Sequence, residues 1–328
     1  MKYESLSIAG MGITPFGSYP DSSLLDLAAT SVKSALEMAS LGLRDIQTVF
    51  AGNAMGAVGS IAGVADGLGI SGIPVTRVEQ ACASGSTAFR LACEAVASGS
   101  AEVALALGLD KMPAGVLQLD PAPTYESRLG LNVFPLLYAL KSRQYMDFSG
   151  ASPEDLAAVA EKARRLGAMA PHASTETPES LADVLASPMI AEPMTRLQCC
   201  RSVDGAAAII VTSRPVPGAV RVVGGVPGLC IEDPKAPMEH GWDSREHVVE
   251  TMARRLYEEC AIGPGEIDVL QLNDAFSVAE PLYLEALGFA PQGEGIELQR
   301  AVRTDLGGDL PTNTDGGLLG RGHCLGAT

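Results

Sequence analysis

Twice along its 328 residues the chain alternates short apolar runs with amphipathic helical segments, and this order restricts the fold more than any other sequence feature. In the first third, strands are expected at Leu6 to Ala9, Ile46 to Ala51, Val75 to Gln80 and Val103 to Gly108. Helices are expected at Ser22 to Ala39 and at the Ala-rich Ser84 to Ala97. Strands separated by helices predict parallel pairing with helices on both faces, an α/β architecture. From Ala206 the order returns, with strands at Ala206 to Thr212, Val220 to Val226 and Ile267 to Leu272 and helices at Arg245 to Cys260 and Val278 to Leu287. The pattern reads as an internal duplication, although the halves share little residue identity. The replay stops at Thr328, where the matching helix would begin, so a further C-terminal segment is expected.

Residues 109–200 interrupt the alternation with Pro113, Pro121 and Pro123, and with a helix opened by Ser152-Pro153-Glu154-Asp155. Ser before Pro at the first helical position is a strong start signal. An excursion of this length inside an α/β domain is expected to be a lid or binding loop. The predicted organisation is residues 1–108 with 201–215 as an N-terminal half, 109–200 as the inserted loop domain, and 216–328 as a C-terminal half.

Composition narrows the partners. With 23 Lys+Arg against 39 Asp+Glu the net charge is −16, a field that repels nucleic acid backbones. The seven cysteines (Cys82, Cys93, Cys199, Cys200, Cys230, Cys260 and Cys324) are odd in number, lack CxxC spacing and follow no signal peptide, which points to a reducing cytoplasm. Every apolar stretch is broken well short of the ~20 residues that a membrane helix needs, so no membrane span is expected. None of His172, His240, His247 and Trp242 has a spacing that suggests a site.

Three segments could carry chemistry. Val78-Glu79-Gln80-Ala81-Cys82-Ala83-Ser84-Gly85-Ser86-Thr87-Ala88-Phe89 puts Cys82 between a strand end and the first turn of a helix, among small residues that leave the sulfur approachable. The positive end of that helix would lower the thiol pKa, the alternative being a buried, inert cysteine. The Gly-rich run Asn313 to Thr328 carries one histidine, His323, on a tight, backbone-exposed loop. It misses the dinucleotide spacing, which leaves His323 as a general base or as a residue that merely hydrogen-bonds its own loop. In Gln271-Leu272-Asn273-Asp274-Ala275-Phe276 an apolar strand ends in two polar residues, Asn273 or Asp274 being a possible helix cap.

Together with Leu197 to Ala208, these segments resemble, in order, the motifs of the thiolase superfamily, in particular thiolases of the sterol carrier protein type. The resemblance implies a duplicated, layered αβαβα fold with an inserted loop domain, usually dimeric, acting on coenzyme A thioesters with no tightly bound cofactor. It implies that Cys82 accepts the acyl group and that His323 matches the histidine of the family's Gly-His-Pro motif, activating the nucleophile and helping to bind the thioester oxygen. It places Asn273 where other thiolases hold a water with Asn, and matches 109–200 to the loop domain over the pantetheine arm. The sequence departs from the family at three places: Ala275 stands where the sterol carrier type has its acid/base Cys, the Cys-x-Gly of other thiolases is not reached before Thr328, and Cys324 replaces the motif proline. Cys324 is therefore a candidate acid/base. For the anionic end of coenzyme A, the basic residues of the excursion (Arg128, Lys141, Arg143, Lys162, Arg164, Arg165) are the notable local cluster, with Arg128, Arg143 and Arg164 the candidates and a solvated helix face the alternative.

The expected activity is thiolytic cleavage of a 3-oxoacyl-CoA or the reverse Claisen condensation through an acyl-cysteine. The alternatives are acyl transfer to a non-carbon acceptor, which needs no α-proton base, and a non-catalytic scaffold subunit. The expected partners are an acyl-CoA substrate, a second copy of the chain, and a small zinc-ribbon and OB-fold protein of the kind that pairs with stand-alone relatives.

Overall fold

The computed structural model describes residues 6–113, 115, 128, 133–173, 177–228 and 244–328, with side chains of the last range from 248 onward. The chain forms two compact units. The first comprises Met1–Pro113, Ser202–Gly225 and His323–Thr328, and the second Ala114–Arg201 and Val226–Gly322.

Among the described residues the strands are β1 (Ser7–Ile13), β2 (Thr48–Gly52), β3 (Val75–Val78), β4 (Val103–Asp110), β5 (Met189–Ala191), β6 (Met194–Thr195), β7 (Gly205–Thr212) and β8 (Val220–Arg221). The first unit holds a six-stranded sheet in the order β3-β2-β4-β7-β1-β8. β2 runs parallel to β3 and β4, as expected where helices α2 (Ser60–Gly67) and α3 (Ser84–Ala97) make the crossovers. β7, however, is antiparallel to β4 and β1, and β8 is antiparallel to β1, so the sheet is mixed where the alternation predicted parallel pairing. The cause is the connection: β7 follows β4 through the whole excursion rather than through one helix, and such a path imposes no strand direction.

β4 is buried along its entire length, as a central strand covered on both faces must be. Val103, Leu105, Leu107 and Leu109 pack with Leu27, Ala28 and Val32 of α1 (Leu24–Ala39), whereas Ala104 and Ala106 face Ala92, Cys93 and Val96 of α3. Large residues on one face and small ones on the other let α3 lie close to the sheet. At Gly52 the approach is closest, since a Cβ there would stand 2.5 Å from the Ser84 carbonyl oxygen. The first turn of α3 is thereby pressed onto the carboxyl end of β2.

The second unit contains α4 (Phe134–Ser149), α5 (Pro153–Gly167), helices Leu181–Ala186, Ser244–Cys260, Ala279–Ala286, Gly295–Arg300 and Gly317–Arg321, and the β5-β6 hairpin. α5 starts as its sequence predicted, with the Ser152 hydroxyl accepting from the Asp155 amide and Pro153 at the first position. Leu156 and Val159 of α5 pack with Tyr145, Val278, Leu282 and Ile296. Two expected strands come out differently. The run Val220 to Val226 pairs only at Val220–Arg221, because Gly224, Gly225 and Pro227 disfavour a ladder. Ile267 to Leu272 makes one isolated bridge, Leu270 with Thr312. The Asn313 side-chain oxygen accepts the Leu272 amide at 2.7 Å, taking the place of a neighbouring strand. Among the described residues no helix is long and apolar enough to cross a membrane.

Candidate active site

After β3 the chain turns sharply. Ala81, which carries a Cβ, has φ +46°, and Ala81–Ala83 form a single 3-10 turn before α3. A non-glycine residue in this left-handed region costs roughly 1–2 kcal/mol, so neighbouring groups must hold it. The buried Ser84 hydroxyl does so by donating to the Ala81 carbonyl at 2.7 Å while accepting the Gln80 amide at 2.8 Å. Glu79 Oε1 accepts the Ala81 amide at 2.8 Å. Cys82 sits within this clamped turn, half-buried.

The segment His323–Thr328 belongs to the same unit, and glycines seat it there. The Gly326 carbonyl oxygen occupies the space where a Cβ of Gly108 would lie, at 1.9 Å, and where one of Gly85 would lie, at 2.3 Å. A Cβ on Gly326 itself would meet the Gly52 oxygen at 2.4 Å. Buried Asp110 adds a polar anchor. Its Oδ2 accepts the Gly326 amide at 2.8 Å, and its Oδ1 accepts Asn53 Nδ2 and the Met55 amide, each at 2.7 Å. Burial pushes this carboxyl up, against the amides, which pull it down. The His323 carbonyl accepts the Val203 amide at 3.1 Å.

Held this way, His323 Nε2 lies 3.2 Å from Cys82 Sγ, a hydrogen-bonded thiol–imidazole pair, and Nδ1 lies 2.9 Å from Thr328 Oγ1. His323 is 6% exposed, so it belongs to a packed segment and not to the exposed loop its glycines suggested. The Cys82 thiol also departs from expectation: burial pushes its pKa up, against a backbone hydrogen bond that pulls it down. Cys82 lies in the 3-10 turn ahead of α3 and not within the helix itself, and desolvation is the largest influence on its thiol. Burial therefore favours the protonated thiol over the thiolate.

Cys324 is fully buried with Phe16 and Val203, its thiol donating to the Gly205 carbonyl at 3.3 Å and pushed up to about 12. This corrects the acid/base expectation, because a sealed thiol of that pKa neither meets substrate nor moves a proton near neutrality. Asn273 is exposed in the second unit. Its neighbour Asp274 is a cap, but of another helix: its Oδ1 accepts the Leu318 amide at 2.6 Å at the start of Gly317–Arg321.

Asp274 is completely buried, and desolvation raises its pKa to about 7, with Glu280 adding to the rise. Between about pH 4 and pH 7 the folded state therefore keeps a proton that the unfolded chain has released, so this group's contribution to stability falls as pH rises through that window. Asp274→Asn is expected to remove that slope, gaining on the order of 3 kcal/mol relative to wild type between pH 4 and pH 7. Denaturant unfolding at the two pH values checks it.

The basic cluster divides. Arg164 is 1% exposed, donates to the Leu197 and Cys199 carbonyls and pairs with Glu179, so its candidacy for the coenzyme A phosphate is corrected to a structural role. Its charge is consumed inside the second unit. Lys162 is buried against Glu280, and Arg165 pairs with Asp305. Arg128 is exposed, and Arg143 is largely exposed with Glu192 as its ion-pair partner. Among the described residues no cluster of His, Cys, Asp or Glu is arranged to hold a metal.

Ser84, Asp110, Thr328 and the seating glycines went unassigned in the sequence. Ser84 and Thr328 lay inside the quoted motifs, whereas Asp110, at a strand end 216 residues from its partner Gly326, gave no local signal.

A cysteine on a clamped strand-to-helix turn, paired with a histidine, in a mixed α/β unit fits the class of enzymes that transfer acyl groups through sulfur. The chain belongs to the thiolase family: residues 6–215 match "Thiolase, N-terminal domain" and residues 241–328 match "Thiolase C-terminal domain-like". It is similar to the benzoylsuccinyl-CoA thiolase subunit BbsB of Thauera aromatica, with 34% identity over 100% of this chain and 87% of that protein. It is 32% identical to an acetyl-CoA acetyltransferase of Methanothermobacter thermautotrophicus over 98% of this chain and 87% of that one. Among solved structures, the Ltp2-ChsH2(DUF35) aldolase superposes with a TM-score of 0.83 at 28% identity, covering 97% of this chain and 86% of that one. The fold is the α/β thiolase fold and the chain is a thiolase-type acyl-CoA acyltransferase.

Proposed function

We propose that this acyltransferase works through an acyl group carried on Cys82, cleaving a 3-oxoacyl-CoA with coenzyme A or running the Claisen condensation in reverse. The observation that carries the reading is the 3.2 Å approach of His323 Nε2 to Cys82 Sγ. In the cleavage direction His323 takes the thiol proton as sulfur adds to the 3-oxo carbon. The C2–C3 bond then breaks, the electron pair stays on C2 as an enolate, and C2 takes up the proton that His323 removed from the thiol, which releases acetyl-CoA and returns the imidazole to its neutral form. The acyl group remaining on Cys82 passes to the sulfur of a second coenzyme A, and the proton from that thiol returns to Cys82 through His323. Imidazole N–H and backbone amides steady the oxyanion at each addition, with Asn273 as the proposed holder of a water at that position.

The residues 109–200 are proposed as the loop domain of the enzyme, with the exposed Arg128 and Arg143 as its remaining phosphate candidates. A second protein chain is a further proposal: BbsB is named as a subunit and Ltp2 is named together with ChsH2(DUF35), which supports a hetero-oligomer beside a homodimer. A reducing, cytoplasmic setting is proposed as well, supported by an odd number of cysteines without CxxC spacing.

Acetoacetyl-CoA with coenzyme A should yield two acetyl-CoA, and acetyl-CoA incubated in deuterium oxide should exchange at its α-carbon. Because Ala275 offers no thiol and Cys324 is sealed, this exchange is the informative arm. Acylation of Cys82 without exchange or thiolysis would reassign the enzyme to acyl transfer onto a non-carbon acceptor.

A further inference from the structure

We infer that Thr328 is a positioning residue whose hydroxyl fixes the His323 tautomer, leaving Nε2 as the acceptor facing the Cys82 thiol. The inference rests on the pairing proposed above and extends it by one residue. Thr328 Oγ1 lies 2.9 Å from His323 Nδ1 and 3.0 Å from the Cys324 carbonyl oxygen. A hydroxyl has one proton, and a carbonyl only accepts. With that proton on the Cys324 carbonyl, Oγ1 accepts from Nδ1–H, so Nε2 keeps its lone pair 3.2 Å from the sulfur. This orientation also survives the reaction. When Nε2 gains the thiol proton, the imidazolium still donates from Nδ1 to the same oxygen, whereas a hydroxyl donating to Nδ1 would have to turn away. The pieces lie within six residues of one segment, which the Gly326 amide fastens to buried Asp110.

The test measures the pH dependence of Cys82 alkylation by iodoacetamide, by peptide mapping, in the full chain and in Thr328→Val, Thr328→Ala, Thr328→Ser and His323→Ala. Melting temperatures accompany each measurement, and the comparison is read on whichever of the Val and Ala variants melts as the wild type does. That variant should react about tenfold more slowly near neutral pH, with its profile displaced toward that of His323→Ala, and Thr328→Ser should restore the wild-type profile. A wild-type profile in the Val or Ala variant, alongside a slowed His323→Ala, would overturn the role of Thr328 alone. An unchanged His323→Ala would instead remove the pairing on which it rests.

Discussion

Cys82→Ala is expected to abolish thiolysis, lowering kcat by about four to six orders of magnitude while leaving the melting temperature near that of wild type. The two halves of that expectation have separate causes. The sulfur is the only atom removed, so the covalent step has no acceptor; the hydroxyl of Cys82→Ser is a far weaker nucleophile beside the same imidazole and should rescue little. The fold is spared because the turn is held by Ser84 and Glu79 and not by the half-buried cysteine. Steady-state kinetics and thermal unfolding on the same preparation check both. A variant that retained more than a hundredth of wild-type turnover would show that the acyl group does not pass through this sulfur.

The second large effect belongs to a residue with no side chain. Gly108→Ala would place a methyl group 1.9 Å from the Gly326 carbonyl oxygen, and the atom it meets is backbone that cannot swing aside. The segment carrying His323 must move, and the cost is expected at about 2–4 kcal/mol. The imidazole should leave Cys82 with it, so alkylation near neutral pH should slow even at temperatures where the variant is fully folded. Gly63→Ala is the matching control. It lies inside α2 with nothing within 4 Å of a new Cβ, so the substitution should be neutral or stabilise by about 0.5–1 kcal/mol. Equal melting temperatures for the two variants would contradict this account of the glycines.

What the sequence carried in readable form was local. The helix at Ser84–Ala97 follows from its Ala-rich periodicity and the start of α5 from its Ser152 cap and Pro153, signals that act within a few residues. The direction of β7 was not readable, because it depends on the long path from β4 and not on anything in Gly205–Thr212 itself. The strand expected at Ile267 to Leu272 failed for a related reason: an apolar run marks burial, but a ladder needs a partner, and Asn313 supplies a side chain there.

The site divides along the same line. Cys82 and His323 stand in motifs whose composition announces them, and the structure brings the two side chains together across 241 residues of chain. The pKa of Cys82 was misjudged because the helix end is visible in sequence while desolvation is a property of the packed surroundings. Arg164 and Cys324 were misjudged for the same reason, since charge and thiol chemistry can be listed from letters but exposure cannot. Asp110, whose carboxylate joins the 53–55 loop to Gly326, is invisible until those backbone amides converge.

The most direct measurement is the mass of the Cys82 peptide after incubation with acetyl-CoA and acid quenching. The account predicts one acetyl group on Cys82, absent from Cys82→Ala, strongly reduced in His323→Ala, and discharged when free coenzyme A is added before quenching. An unmodified Cys82 in a preparation that is turning over, or an acetyl group on another cysteine that discharges to coenzyme A, would contradict it.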